Sequence, residues 1–291
     1  MSLDALRMFR FGPRGTERPG AEWQGERVEV SGFGHDYDEW FFGNGGIPLL
    51  RRWLETEAGR APRVPEEVRW GAPVCRPSKI ICVGVNFRDH ARDTGAAVPT
   101  EPVIFFKATT AIGGPFDSLV LPRGSSKVDW EVELGVVVGP TARYVAPEAA
   151  GGHIAGYLLH NDYSERAFQL ERGGQWVKGK SCDTFAPLGP WFIPAGQVPD
   201  VARLAMWLKV NGEARQQGNT ADMVFGPAEL VSYISQFMTL LPGDIISTGT
   251  PAGVGLGMHP PVYLKAGDVV DCGIEGLGQM RQVVVTEEEE P

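Results

Sequence analysis

The stretch DWEVELGVVVG, Asp129 to Gly139, is as apolar as a buried strand yet carries two glutamates, Glu131 and Glu133, one residue apart. Alternate side chains of a strand share a face, so the two carboxylates stand side by side. Like charges held together in a half-buried setting repel, and burial raises the cost. A bound cation, an arginine or lysine, or a shared proton has to compensate. The alternative is an ordinary amphipathic strand, with Val132, Leu134 and Val136 on the core face and the glutamates toward solvent.

Outward from this stretch the pattern is mainly β. Short apolar runs recur beyond Pro77: KIICVGVNF, PVIFFKA, IAGYLLHNDY, LAMWLKV and DIISTGT. Asn211-Gly212 after WLKV marks a hairpin turn. One helix is expected in GPAELVSYISQFMTLLPGD, opened by Pro227 and stopped by Pro242-Gly243. Strands outnumber helices and regular βαβ alternation is missing, so a compact mixed or antiparallel β architecture is favoured over a doubly wound one. Upstream, RVEVSGF reads as a strand and Ile47 to Gly59 as an amphipathic helix, followed by a proline-rich connection. The organisation expected is a small N-terminal domain over residues 1–72, a main domain over 73–285 and an acidic tail, 286–291, expected to be solvated and disordered. GVGLG, Gly253 to Gly257, is no dinucleotide loop, because Pro260 and Pro261 stand where a phosphate-binding helix should begin.

The chain has 291 residues and a net charge of -9, which argues against a nucleic-acid-binding surface. Its four cysteines, Cys75, Cys82, Cys182 and Cys272, form no CxxC pair, and a reducing cytoplasm fits them best. No apolar run approaches a membrane span.

Asp162 ends another apolar run, in GYLLHNDYSER. With Glu131 and Glu133 it offers three hard oxygen ligands, a set that suits Mg2+ or Mn2+. Zinc would recruit cysteine or histidine, and none is spaced to help. His160 could be a fourth ligand on proximity alone and is set aside, on the expectation that neighbouring strand residues point to opposite faces. Six motifs in order, GVNFRDHARD, EPVIFFKATTA, KVDWEVELGVVVG, HNDYSERAFQ, GKSCDTFAPLGP and LLPGDIISTGTPAGVG, resemble the fumarylacetoacetate hydrolase superfamily over roughly Arg76 to Gln282. The resemblance implies an α+β, mainly β fold with a rolled mixed β-sheet, commonly dimeric, here a homodimer. It also implies that Glu131, Glu133 and Asp162 bind the divalent metal.

His90 and Asp93 lie three apart, on one helix face, where a carboxylate can orient an imidazole that moves a proton. By resemblance His90 matches the family's catalytic histidine, whose partner is usually glutamate rather than the aspartate found here. Lys180 matches a lysine placed beside metal and substrate. Arg166 and Gln169, also three apart, can face one ligand, the arginine gripping a carboxylate. A structural salt bridge is the other use for Arg166. Thr250 resembles a substrate-contacting threonine, or else its hydroxyl stabilises a turn. Lys107 falls where the family often has a lysine, which makes it a candidate substrate contact, although a strand-end lysine needs no function.

The site so read implies chelation of a small 2-keto acid. The reaction expected is hydrolytic C–C cleavage of a 2,4-diketo acid, an acylpyruvate or a diketo-deoxy sugar acid, through a stabilised enolate. The stretch from Asn161 to Trp191 looks like the branch of diketo-deoxy sugar-acid hydrolases, whose relatives are also labelled ureidoglycolate lyase. Oxaloacetate decarboxylation and keto-enol isomerisation are variants on the same site. A metal-bound small-acid-binding module is the non-enzymatic alternative.

Overall fold

The structure, a computed structural model, describes residues 5–93 and 97–289, without the side chains of Ala91 and Asp93. The chain starts with an antiparallel sheet of β1 (Arg7–Phe11), β2 (Arg18–Trp23), β3 (Glu26–Glu29) and β4 (Trp70–Gly71), in the order β3-β2-β1-β4. Helix α1 (Gly46–Glu57) buries Leu50 and Leu54, one turn apart on its inner stripe. The boundary expected after residue 72 falls just beyond β4.

This sheet is not a separate layer. Met8 and Phe192 exchange backbone hydrogen bonds at 3.1 and 2.8 Å. Phe9 stacks on Trp70 at 4.5 Å, and both rings meet Trp191 edge-on at 5.5 and 4.8 Å. Burying three such rings together makes one apolar core run from the first strand into the rest of the chain.

The central sheet holds β5 (Ile80–Gly84), β6 (Val103–Lys107), β7 (Val132–Val138), β8 (Ile154–Asn161), β9 (Ile193–Pro194) and β10 (Ile245–Ser247), in the order β9-β8-β7-β10-β5-β6. Only the β10–β5 pair is parallel. A second sheet orders Glu213–Asn219, Ala205–Val210, Val269–Ile274, Gly278–Thr286 and Leu119–Leu121 and covers one face of β7 and β8. The sheets are mixed and outweigh the helices: an α+β, mainly β fold.

Every residue of β7 is buried. That removes the amphipathic alternative for the opening stretch, since neither face of the strand meets solvent. The Asn211-Gly212 hairpin forms as expected, with both residues at positive φ, 52° and 80°.

Two expectations need correction. The helix beginning at Pro227 ends at Ser235, well short of Pro242. Leu240 is drawn off to exchange backbone hydrogen bonds with Ala142, at 2.9 and 3.0 Å, and this long-range pairing overrides helical propensity. The acidic tail is also ordered through Glu289: Glu287 pairs with Arg123, and the Glu289 carboxylate accepts from the Thr286 amide at 3.0 Å. Residues 290 and 291 lie outside the description.

Candidate metal centre

The two glutamates converge because of where the strands begin and end. Glu131 sits immediately before β7, and Asp162 immediately after β8. The antiparallel register that pairs Val132 with Asn161 continues outward, the Asp162 amide donating to the Glu131 carbonyl at 2.8 Å. Glu131, Glu133 and Asp162 are all buried, and one ligand oxygen from each lies within 4.8 Å of the others. Three hard oxygens on rigid backbone fit a divalent ion such as Mg2+ or Mn2+.

Cations crowd the same space. Lys180, from α4 (Val177–Lys180), donates to Glu131 at 2.8 Å and to Asp162 at 2.9 Å. Lys107 donates to the other Asp162 oxygen at 2.5 Å and to the Tyr163 carbonyl at 3.1 Å. Arg166, which opens α3 (Arg166–Leu170), spends one nitrogen each on Asp129 (2.7 Å), Gln169 (3.0 Å) and Glu131 (2.5 Å). Asp129, Glu131, Glu133 and Asp162 therefore face Lys107, Arg166 and Lys180, one negative charge in excess.

The titration pattern shows where that excess falls. Burial pushes the Glu131 carboxyl up, but Lys180 and Arg166 more than offset it and hold it below its ordinary value. Asp162 is likewise held low against burial by Lys107 and Lys180. Glu133 is pushed well up by burial and by the Asp162 and Glu131 carboxylates. Its hydrogen bonds come from neutral donors, the Ser247 hydroxyl and the Gly249 amide. A dication is the charge this group lacks. Gly249 has φ +97°, and a Cβ there would come within 2.9 Å of Asn86, so this donor position requires glycine.

His90, Glu131, Glu133, Arg166, Gln169, Lys180 and Thr250 line one cavity. Lys107 does not line it; it braces Asp162 from behind. The arginine serves an ion pair as well as the cavity wall, so the two uses weighed for it coincide. The Thr250 hydroxyl donates to the Val132 carbonyl at 2.9 Å and accepts from Gln216 at 2.8 Å. His90 rides on α2 (Arg88–Asp93), and burial lowers its pKa below the usual imidazole value. The Asp93 side chain, its expected partner, lies outside the described residues.

Several site residues carry no sequence signal of their own. Asn86 pins the start of the α2 segment through the Phe225 and Thr248 carbonyls at 3.0 and 2.7 Å. Asp89, the second residue of this helix, ties it to the Ala252 loop, accepting from the His90 amide at 2.8 Å and the Ala252 amide at 3.3 Å. Asp129 is pushed up to about 6 by burial although Arg166 pulls it down. His160 contacts Ser247 at 2.6 Å, behind Glu133, and burial depresses its pKa to about 3, leaving it neutral.

The chain matches the family model described as fumarylacetoacetate (FAA) hydrolase C-terminal over residues 79–285. A Burkholderia ambifaria relative, provisionally named a hydrolase, is 48% identical over 279 residues, 95% of this chain and 98% of its own. Among solved structures, the fumarylacetoacetate hydrolase of Exiguobacterium antarcticum is similar at 37% identity and TM-score 0.85, covering 97% of this chain and 100% of that one. The maleylpyruvate hydrolase of Sphingobium sp. SYK-6, in complex with manganese(II) ion and pyruvate, is 32% identical with TM-score 0.79, covering 96% and 99%.

Proposed function

The chain belongs to the fumarylacetoacetate hydrolase family and is an enzyme of that family, and from this premise we propose that it hydrolyses the C3–C4 bond of a 2,4-diketo acid, an acylpyruvate or diketo-deoxy sugar acid, to pyruvate and a second carboxylic acid. The observation that carries the reading is the set of three buried carboxylates, two of which, Glu131 and Glu133, line one cavity with His90. Glu131, Glu133 and Asp162 would hold Mg2+ or Mn2+. When bound, the ion supplies the Lewis acid that stabilises an enolate oxygen.

The chain's own groups supply the rest. His90, kept neutral by burial, accepts a proton from water as the water oxygen bonds to C4. The C3–C4 bond breaks, its electron pair stays with the pyruvate fragment, and a proton returns to C3. Lys180 offsets the charge that develops on that fragment. The N–H groups that Arg166 and Gln169 retain after their mutual contact orient the keto acid, and Thr250 closes the wall. The working assembly in this proposal is a cytoplasmic homodimer.

The test is pyruvate release from a panel of acylpyruvates, with Mg2+ or Mn2+ and after chelation. Metal-dependent release is expected. Decarboxylation of oxaloacetate with every acylpyruvate left intact overturns the proposal.

A further inference from the structure

The cavity around the carboxylates measures about 70 Å³, room for on the order of a few water molecules. Anything longer than a pyruvate-sized head has to leave it. Beside it opens a groove of about 460 Å³, walled in part by Val103, Phe106, Gln175 and Val177. Phe105 of β6 and Trp176, just before α4, line both spaces. Their rings meet edge-on with centroids 5.3 Å apart. Trp176 is seated on Gly84, where a Cβ would come within 2.8 Å of the indole. Phe105 also carries Lys180, whose Nζ stands 5.1 Å from the ring centroid.

We propose that the Phe105–Trp176 pair and the groove beyond it bind the acyl tail of the substrate and select a neutral, apolar tail over one ending in a carboxylate. The inference rests on the keto-acid reading of the neighbouring cavity, and two observations carry it further. First, the groove adjoins the cavity through shared aromatic walls, and three of its side chains, Val103, Phe106 and Val177, are exposed apolar groups that a hydrocarbon tail would cover. Second, no ionisable side chain lines the groove among the described residues. The cations of the cavity, Arg166 and Lys180, are already committed to Asp129, Glu131 and Asp162. A distal carboxylate would enter without a counter-charge, and its lost hydration would go unreplaced.

The test reads binding rather than turnover. Calorimetry on the Mn2+-loaded protein compares pyruvate, 2-oxohexanoate and 2-oxoglutarate. Each methylene buried in a groove is worth roughly fourfold, so the three extra methylenes of 2-oxohexanoate, half covered, should tighten Kd by about tenfold over pyruvate. The 2-oxoglutarate should bind no tighter than pyruvate. Gln175→Lys, at an exposed position, should strengthen 2-oxoglutarate by about tenfold, and Trp176→Ala should erase the 2-oxohexanoate gain. Equal affinities for the three acids, or tighter 2-oxoglutarate binding in the wild type, overturn the inference. A protein that shows the expected order yet cleaves no acylpyruvate keeps the groove and loses the reaction. One that cleaves acylpyruvates without that order keeps the reaction and loses the groove.

Discussion

Replacing Lys107 with methionine keeps most of the side chain's length and removes a charge that is wholly buried against Asp162. Breaking a buried ion pair from one side costs about 3–5 kcal/mol, because the partner charge is stranded. Asp162 retains Lys180 at 2.9 Å, which places the loss in the metal-free protein near the lower limit, about 3 kcal/mol. The Tyr163 carbonyl also loses its donor, and that portion, about 1 kcal/mol, is independent of charge. A divalent ion can replace the charge and not the donor. Saturating Mn2+ should therefore return about 2 kcal/mol more stability to Lys107→Met than to wild type, equivalent to roughly 30-fold tighter ion binding. Urea unfolding with and without Mn2+ measures the first quantity and calorimetric titration of the ion the second. The two must agree, since they close one thermodynamic cycle. An equal loss with and without Mn2+, together with an unchanged ion Kd, would refute the argument that Lys107 stands in for metal charge.

Glu131→Gln and Asp162→Asn should each weaken Mn2+ binding at least tenfold and abolish activity, with the fold retained by circular dichroism; unchanged ion affinity in both would remove the carboxylate set as the metal site. His90→Ala should lower turnover on the order of 10² to 10⁴-fold while oxalate still binds the Mn2+-loaded protein, and full turnover would move the proton transfer elsewhere. Burial, and then Asp36, push the Cys75 thiol up to about 11, and burial does the same to Cys182, also to about 11. At pH 8 their alkylation by iodoacetamide should run roughly a hundredfold slower than an ordinary thiol and climb about tenfold per pH unit toward 11. A raised thiol pKa means the folded chain holds protons that the unfolded chain releases, so these two groups should withdraw stability as pH rises from the ordinary thiol range to about 11.

The acidic centre was legible in part because its three carboxylates lie at strand ends, where period-two alternation and the end of an apolar run place side chains; that Asp162 joins the two glutamates came from the six ordered motifs and the family they resemble. Glu131 and Glu133 could be paired from their spacing, and Asp162 placed at a strand end from its position after LLHN. What neutralises them could not be read this way. Asp129 and Arg166 are 37 positions apart and Lys107 and Asp162 are 55 apart; pairings across such intervals leave no periodic trace. The same reason explains the misjudged helix end at Ser235, which is decided by the distant backbone of Ala142. Nothing in the sequence singles out Trp176, since only the fold shows that it rests on Gly84.

The aromatic seam between Phe9, Trp70 and Trp191 bears on how this gene can change over generations. The family match begins at residue 79, yet a lineage that simply lost the preceding codons would inherit a remainder with an uncovered apolar face. It would uncover Trp191 and Phe192, strip two backbone hydrogen bonds from the latter, and leave an apolar scar open to aggregation. Deletion alone is thus a poor ancestor for any shortened descendant. A viable one would need polar replacements along that seam first.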